Sequence, residues 1–213
     1  MSGTYEKHIA FAAASELARQ LRSSGRYEVA LTRHNDVFIP LQDRVAIAQA
    51  QGAALFISMH ADAVDDHSVK GASVYTLAAT ASDAQTASLA DSENAADRYA
   101  GQEAAGVSPQ VAEILASLVR HETRVGSAHM QQHVVAALSR DMPLLDNPAR
   151  HAGFAVLKAA DIPSVLVEMG FMSNRHDEAA LRQAGHRAMV ASAIHRAIDG
   201  FFASDGQHTH IVG

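Results

Sequence analysis

Three residues have the types needed to do chemistry together: Glu6, His60 and Glu168. Imidazole and carboxylate are suitable ligands for zinc, and a catalytic zinc keeps one position open for water. A further carboxylate beside that water can accept its proton and later return it to a leaving nitrogen. Each residue also has a plainer reading. Glu6 near a helix start is favoured by the helix dipole alone, and His60 could end a strand bonded to a backbone carbonyl. Glu168 follows Val165-Leu166-Val167, so its carboxylate is expected to be partly desolvated, which costs free energy unless it is paired or functional. Asp62 reads as a supporting or structural neighbour of His60. Of the other histidines, His8 lies two residues from Glu6 and does not share its helix face. His129 and His133 are four apart on an expected helix, but no carboxylate joins them at matching spacing, which favours an amphipathic face over a metal site. His208 and His210 fall in a tail expected to fray.

These side chains need elements to bring them together. Residues 5 to 22 place Ile9, Ala13, Leu17 and Leu21 four apart, one face of an amphipathic helix that Ser23-Ser24-Gly25 ends. Tyr27 to Thr32 alternates like a strand with one face more exposed, and a helix is expected after Pro40 with Leu41, Val45 and Ala48 on one side. Ala54 to Met59 is apolar on both faces and stops at His60, which predicts a central strand buried by helices on both sides. Further strands are expected at Ala72 to Leu77, Gly153 to Leu157 and Ser164 to Val167, the last ending at Glu168. Helices close the chain over about residues 175 to 202. This interleaving predicts an α/β fold, a single domain with a mixed, mostly parallel sheet flanked by helices. In such folds reactive side chains gather beyond the carboxyl ends of the strands. His60 and Glu168 both stand at such ends.

The chain has 213 residues, 48% hydrophobic and 19% charged, enough for one domain that buries about 70% of its unfolded surface. The domain is expected over residues 1 to 203, with 204 to 213 as a flexible tail. A net charge of −6 without any lysine or arginine cluster argues against a nucleic-acid partner. The absence of cysteine excludes disulfides, thiolate zinc sites and a cysteine nucleophile. No apolar run approaches the roughly 18 residues of a membrane span, and polar residues follow Met1, so neither a transmembrane segment nor a secretory signal is expected. Residues 78 to 106 break the rhythm: they are rich in alanine and serine, carry five acids against the single Arg98, and read as a solvated insertion or a helix held by few contacts. A long amphipathic helical region with Val111, Leu115, Leu118, Val134, Val135 and Leu138 is expected beyond it.

Four collinear blocks resemble the zinc-dependent N-acetylmuramoyl-L-alanine amidases of the Gram-negative cell-division type. They are Gly3-Thr4-Tyr5-Glu6-Lys7, Leu31-Thr32-Arg33, Phe56-Ile57-Ser58-Met59-His60-Ala61-Asp62-Ala63, and Ile162-Pro163-Ser164-Val165-Leu166-Val167-Glu168-Met169-Gly170-Phe171-Met172-Ser173-Asn174. The similarity runs from Gly3 to about Phe202. It implies Zn2+ as cofactor, Glu6 and His60 as metal ligands, and Glu168 as the catalytic carboxylate. It also implies hydrolysis of the amide between N-acetylmuramic acid and L-alanine in peptidoglycan. On this reading zinc polarises the scissile carbonyl and acidifies its water, while Glu168 moves the proton to the departing nitrogen. A periplasmic location follows from the substrate, with an export signal expected outside this chain. The chain departs from the family pattern at its start, where members have a strand leading to a Gly-His-Gly motif whose histidine is the first zinc ligand. With two of three protein ligands left, zinc affinity is expected to fall sharply.

The insertion resembles, over Ser88-Leu89-Ala90-Asp91-Ser92-Glu93-Asn94-Ala95-Ala96-Asp97, a helix that in the division-associated amidases lies over the active site. Glu93 matches the glutamate that such a helix gives to the zinc until an activator protein displaces it. From composition alone an acidic solvated loop serves equally well. Two other functions remain open. A non-catalytic module of the same fold could bind wall fragments or a divisome partner. A flavodoxin-like regulatory or nucleotide-binding domain would fit the α/β pattern, but no P-loop or glycine-rich fingerprint follows a strand.

Overall fold

The computed structural model describes residues 5–99 and 121–208. Helix α1 (Glu6–Ser23) buries Ile9, Ala13, Leu17 and Leu21, the face that its four-residue spacing predicts. Helix α2 (Leu41–Ala50) follows Pro40 and buries Leu41, Val45 and Ala48. Four strands form one sheet: β1 (Phe56–His60), β2 (Ala72–Leu77), β3 (Leu144–Ala152) and β4 (Ser164–Glu168), in the order β1-β4-β2-β3. The β1–β4 and β2–β3 pairings are parallel and β2–β4 is antiparallel, so the sheet is mixed as expected.

Strand β4 is buried at every residue. Its alternating side chains serve two cores. Val165 and Val167 face α1, α5 (His121–Leu138) and α7 (Ala184–His208), among Ile9, Met130, Val134 and Ile194. Leu166 faces the other layer, with Leu41 and Val45 of α2, Leu89 of α3 (Ala84–Asn94), and Phe154 beside the 3-10 turn Ala155–Leu157. A short α4 (Ala96–Tyr99) follows α3, and α6 (Arg175–Leu181) precedes α7.

Several expectations need correction. Strand β1 is not central: among the described residues it is an edge strand, and its outer side opens on a groove of about 1080 Å3 lined also by α1, α2 and residues 26 to 33. Among the described residues Tyr27 to Thr32 pairs with no strand. Side chains hold this segment instead, because Asp199 of α7 accepts hydrogen bonds from Tyr27 Oη at 2.7 Å and from Arg26 at 2.8 Å. Gly153 to Leu157 is no strand either. Its apolar residues Phe154 and Leu157 lie three apart and turn through the 3-10 segment into the second core. The strand of this region is β3, which was not expected, because Asp146, Asn147 and Pro148 interrupt it. These residues fall where the β2–β3 register jumps from Ala72↔Leu144 to Val74↔Ala149. Helix α7 runs on to His208, past the expected tail boundary. Val111, Leu115, Leu118 and His210 lie outside the described residues.

Candidate metal centre

Register builds the centre. His60 and Glu168 are Cα partners at the carboxyl ends of the parallel pair β1 and β4, so the two strand ends meet at one edge of the sheet. The segment after β1 is pinned to its neighbours: Asp62 N donates to Glu168 Oε2 at 3.1 Å, and Met172 N donates to Asp62 O at 2.7 Å. After β4 the chain turns at Gly170, whose φ of 135° suits glycine alone, and a Cβ there would meet the Asp177 carboxylate at 3.0 Å. That carboxylate accepts from Gly71 N and Phe171 N, and so fixes the turn behind the site. Glu6 arrives from the first turn of α1, where its Oε1 accepts from Ala61 N at 3.2 Å.

Oxygen atoms crowd one imidazole. His60 Nδ1 lies 3.0 Å from Glu93 Oε2, 3.2 Å from Glu6 Oε1 and 4.0 Å from Asp62 Oδ1. The other ring nitrogen, Nε2, is 2.9 Å from Ser58 Oγ, two residues earlier on the same strand face. Three buried atoms have no hydrogen-bond partner among the described residues: His60 Nδ1, Asp62 Oδ2 and Glu168 Oε1. Glu6, His60 and Asp62 form a group whose ligand atoms all lie within 4.8 Å of one another. Soft thiolates are absent, and this nitrogen-and-oxygen set suits zinc or another borderline divalent ion.

The titrations reflect that crowding. Complete burial, together with the charges of Glu6 and Glu93, pushes Glu168 up to about 8 despite nearby His60. Burial and the charges of Glu168, Glu6 and Glu93 push Asp62 well above the usual carboxylate range. Burial opposes a charge on His60, but Glu93 and Glu6 outweigh it and raise its pKa. Burial also works against ionised Glu6, yet contact with His60 holds it at about 2. A cation among these groups would relieve all of the carboxylate repulsion.

Helix α3 forms the roof. Asp83 caps α3 by accepting from Thr86 N at 2.7 Å. The buried Arg150 of β3 pairs with Asp83 at 3.0 Å and also donates to Gln85 Oε1 and Thr86 Oγ1. At the far end Asn94 donates to Gly153 O at 2.9 Å and accepts from Ala155 N at 2.7 Å. Between these anchors Leu89 and Ala90 are buried, and Glu93 is carried onto His60.

The family of N-acetylmuramoyl-L-alanine amidases matches residues 1–200. This chain belongs to that family. It is 36% identical over 211 residues to N-acetylmuramoyl-L-alanine amidase AmiA of Escherichia coli (strain K12), covering 98% of this chain and 73% of that protein. It is 38% identical to AmiC of Escherichia coli O6:H1, over 94% of this chain and 48% of the relative. Among solved structures, AmiC2 of Nostoc punctiforme superposes with a TM-score of 0.60 at 26% identity, over 95% of this chain and 87% of that one. The CwlD amidase of Clostridioides difficile, solved in complex with the GerS lipoprotein, shares the fold with a TM-score of 0.65 at 21% identity, over 95% of this chain and 88% of that one.

The structure of this amidase brings Glu6, His60, Glu93 and Glu168 into one cluster. It leaves three other histidines elsewhere: His8 is exposed beside Asp36, His129 is exposed, and His133 packs beside Gly200. Sequence reasoning passed over Ser58, although its position two residues before His60 on one strand placed it on the same face. Asp62, the expected neighbour of His60, brings a carboxylate oxygen to 4.0 Å from His60 Nδ1. Among the described residues, no helix is long and apolar enough to cross a membrane.

Proposed function

We propose that this amidase is a zinc-dependent peptidoglycan hydrolase held in check by its own insertion. Glu6 and His60 hold the ion, Glu168 is the catalytic acid and base, and Glu93 is the inhibitory group. The reading rests on the crowding of carboxylate oxygens round the buried His60 Nδ1, 3.0 Å from Glu93 and 3.2 Å from Glu6, at the strand ends where Glu168 Oε1 has no hydrogen-bond partner among the described residues. A zinc ion bound there would polarise the scissile amide carbonyl and lower the pKa of water. The chain's own residues do the rest. Glu168 has one oxygen tied to Asp62 N and the other free, so Oε1 can take a proton from water and return it to the departing L-alanine nitrogen. Burial favours its protonated form, which suits the second of these steps. Ser58 fixes the His60 ring, and the Ala61 amide fixes Glu6.

Glu93, with its side chain only 14% exposed, stands where a substrate carbonyl or water would approach. Residues 1 to 203 then act as one catalytic domain, 78 to 106 as its regulatory insertion, and an activator protein would draw α3 away. The periplasm is the location that the substrate demands. The test is to measure zinc content and stem-peptide release from purified sacculi for the wild type, Glu168→Ala and Glu93→Ala. Glu168→Ala should keep zinc and lose turnover by about a hundredfold or more, and Glu93→Ala should raise basal hydrolysis. Unchanged release in Glu168→Ala would sink the assignment of the base, and unchanged basal activity in Glu93→Ala would sink the inhibitory role.

A further inference from the structure

Four lysine or arginine side chains among the described residues line the groove that opens beside the centre: Lys7, Arg26, Arg33 and Arg44. Three of them are engaged. Lys7 pairs with Asp36 at 2.6 Å, Arg26 pairs with Asp199 at 2.8 Å, and Arg33 donates to Lys7 O at 2.6 Å and to Asn35 O at 3.1 Å. Arg44 of α2 differs. Its Nε donates to Ile39 O at 2.9 Å, which holds the half-buried side chain in place, while neither Nη atom has a hydrogen-bond partner among the described residues. Glu6, His60 and Glu93 line the same groove. Burial works against a charge on Arg44, and the carboxylates of Glu93, Asp97 and Glu6 support it. The spare donors of such a fork match the two oxygens of a carboxylate.

We propose that Arg44 sets specificity in the amidase reaction by binding a carboxylate of the stem peptide, and that Asp97 of α4 covers this place while the roof is closed. The proposal rests on the reading of the centre as an amidase site. Asp97 Oδ1 accepts from Leu41 N at 3.1 Å, three residues before Arg44 at the start of α2. Four residues earlier in the insertion, Glu93 Oε2 reaches His60 Nδ1 at 3.0 Å. Ala95 between them is αR, with φ −80° and ψ −7°, so the two acids stand about one helical turn, roughly 6 Å, apart along the chain. In a stem peptide, standard bond lengths put a carboxylate on the residue after L-alanine about 6–8 Å from the scissile carbonyl. The insertion therefore presents two acids with nearly the spacing of the substrate's reacting carbonyl and its carboxylate. Glu93 covers the metal centre and Asp97 covers the approach to Arg44, so one movement of α3 and α4 would clear both.

The test compares two ligands, N-acetylmuramoyl-L-alanyl-D-glutamate and its counterpart with a carboxamide in place of that free carboxylate. Binding is measured by calorimetry on the whole protein carrying Glu93→Ala and Glu168→Gln, which clear the centre and prevent turnover. The free carboxylate should bind about tenfold or more tightly than the carboxamide, the worth of a hydrogen bond to a charged group. Adding Arg44→Gln should abolish that preference by weakening the carboxylate ligand alone. Adding Asp97→Asn, whose amide oxygen can still accept from Leu41 N, should tighten the carboxylate ligand by about fivefold. A preference that survives Arg44→Gln overturns the proposal, as does failure to distinguish the two ligands when Arg44 is intact. Unchanged affinity in Asp97→Asn overturns the part given to Asp97. Should Arg44→Gln fail to fold by circular dichroism, Arg44→Lys decides: it keeps the charge without the fork, and an undiminished preference there is equally fatal. Stem-peptide release by Glu93→Ala with Glu168 intact reports the amidase reading separately. Release without any dependence of ligand preference on Arg44 removes this proposal alone, and absence of release removes both.

Discussion

Ser58 and Glu168 show how single side chains prepare the centre. The hydroxyl of Ser58 is 2.9 Å from His60 Nε2 and orients a ring that is otherwise surrounded by carboxylates. Groups that orient a metal-binding histidine typically matter by about 10–100-fold in metal affinity, so Ser58→Ala should weaken zinc binding by that factor in a chelator competition while leaving the melting temperature nearly unchanged. Equal affinity would mean that the ring is held by its packing alone. Glu168 supplies a pH signature. Its carboxyl sits at about 8 in the fold against an ordinary 4.5, so the folded protein holds a proton that the unfolded chain releases. Its contribution to stability is complete below about pH 4.5 and is lost as pH rises toward 8. Glu6, held at about 2, acts only on the acid side, where its contribution disappears as pH falls from 4.5. The metal-free protein should therefore melt at lower temperature near pH 8 than near pH 5, and Glu168→Gln should flatten that decline. An identical slope in the variant would exclude Glu168 as its source. That Glu6, His60 and Glu168 would meet was legible because each occupies a helix start or a strand end, where sequence pattern and position agree. That Asp62 would turn its side chain into the same cluster was not, since no periodicity sets its direction beyond the end of β1.

At the scale of elements, α3 is a helix with weak amphipathy that stays in place through specific polar anchors. Arg150 is the most connected of these. Besides Asp83, Gln85 and Thr86 of the helix start, it donates to Asp146 O at 2.8 Å and Asn147 O at 3.0 Å, and so stabilises the irregular part of β3 with the same side chain. Residues 78 to 106 stand apart by composition, and the helix expected over Ser88 to Asp97 agrees in part with α3 and α4, which meet near Ala95. Its anchors were not legible, because they come from β3, a strand whose Asp146-Asn147-Pro148 interruption masks the alternation that marks strands. Tyr27 to Thr32 failed in the opposite sense. It has a strand's alternation, but that pattern reports a half-buried extended chain whether or not a partner strand exists. Removing Arg150 should loosen α3. Losing charge-assisted hydrogen bonds at a buried site costs about 1–3 kcal/mol, so Arg150→Ala should raise the open population, and with it basal sacculus hydrolysis, by roughly fivefold or more. The double variant with Glu93→Ala should gain little over Glu93→Ala alone, because both act by clearing the same position. Full additivity would separate Arg150 from the roof.

Across the whole molecule, the sheet divides the protein into two cores that share one strand. Every residue of β4 is buried, it pairs on both sides, and it delivers Glu168 at its end. Among the described residues the edge strand β1 pairs only with β4, and its outer side faces the groove together with the half-buried Val29 and Leu55. Cohesion should therefore follow β4 rather than β1, although the two strands are similarly apolar in sequence. Leu166 is fully buried between the layers, and truncating such a leucine leaves a cavity the surroundings fill only partly. Leu166→Ala should cost about 2–5 kcal/mol in urea unfolding, whereas Val29→Ala beside the groove should cost about 1 kcal/mol or less. Unfolding should stay a single transition in both, since neither core can open without releasing β4. Two separated transitions, or equal losses at the two positions, would show that the layers fold independently. In that case the register between His60 and Glu168, on which the centre depends, would have to be held by the loops after the strands and not by the sheet.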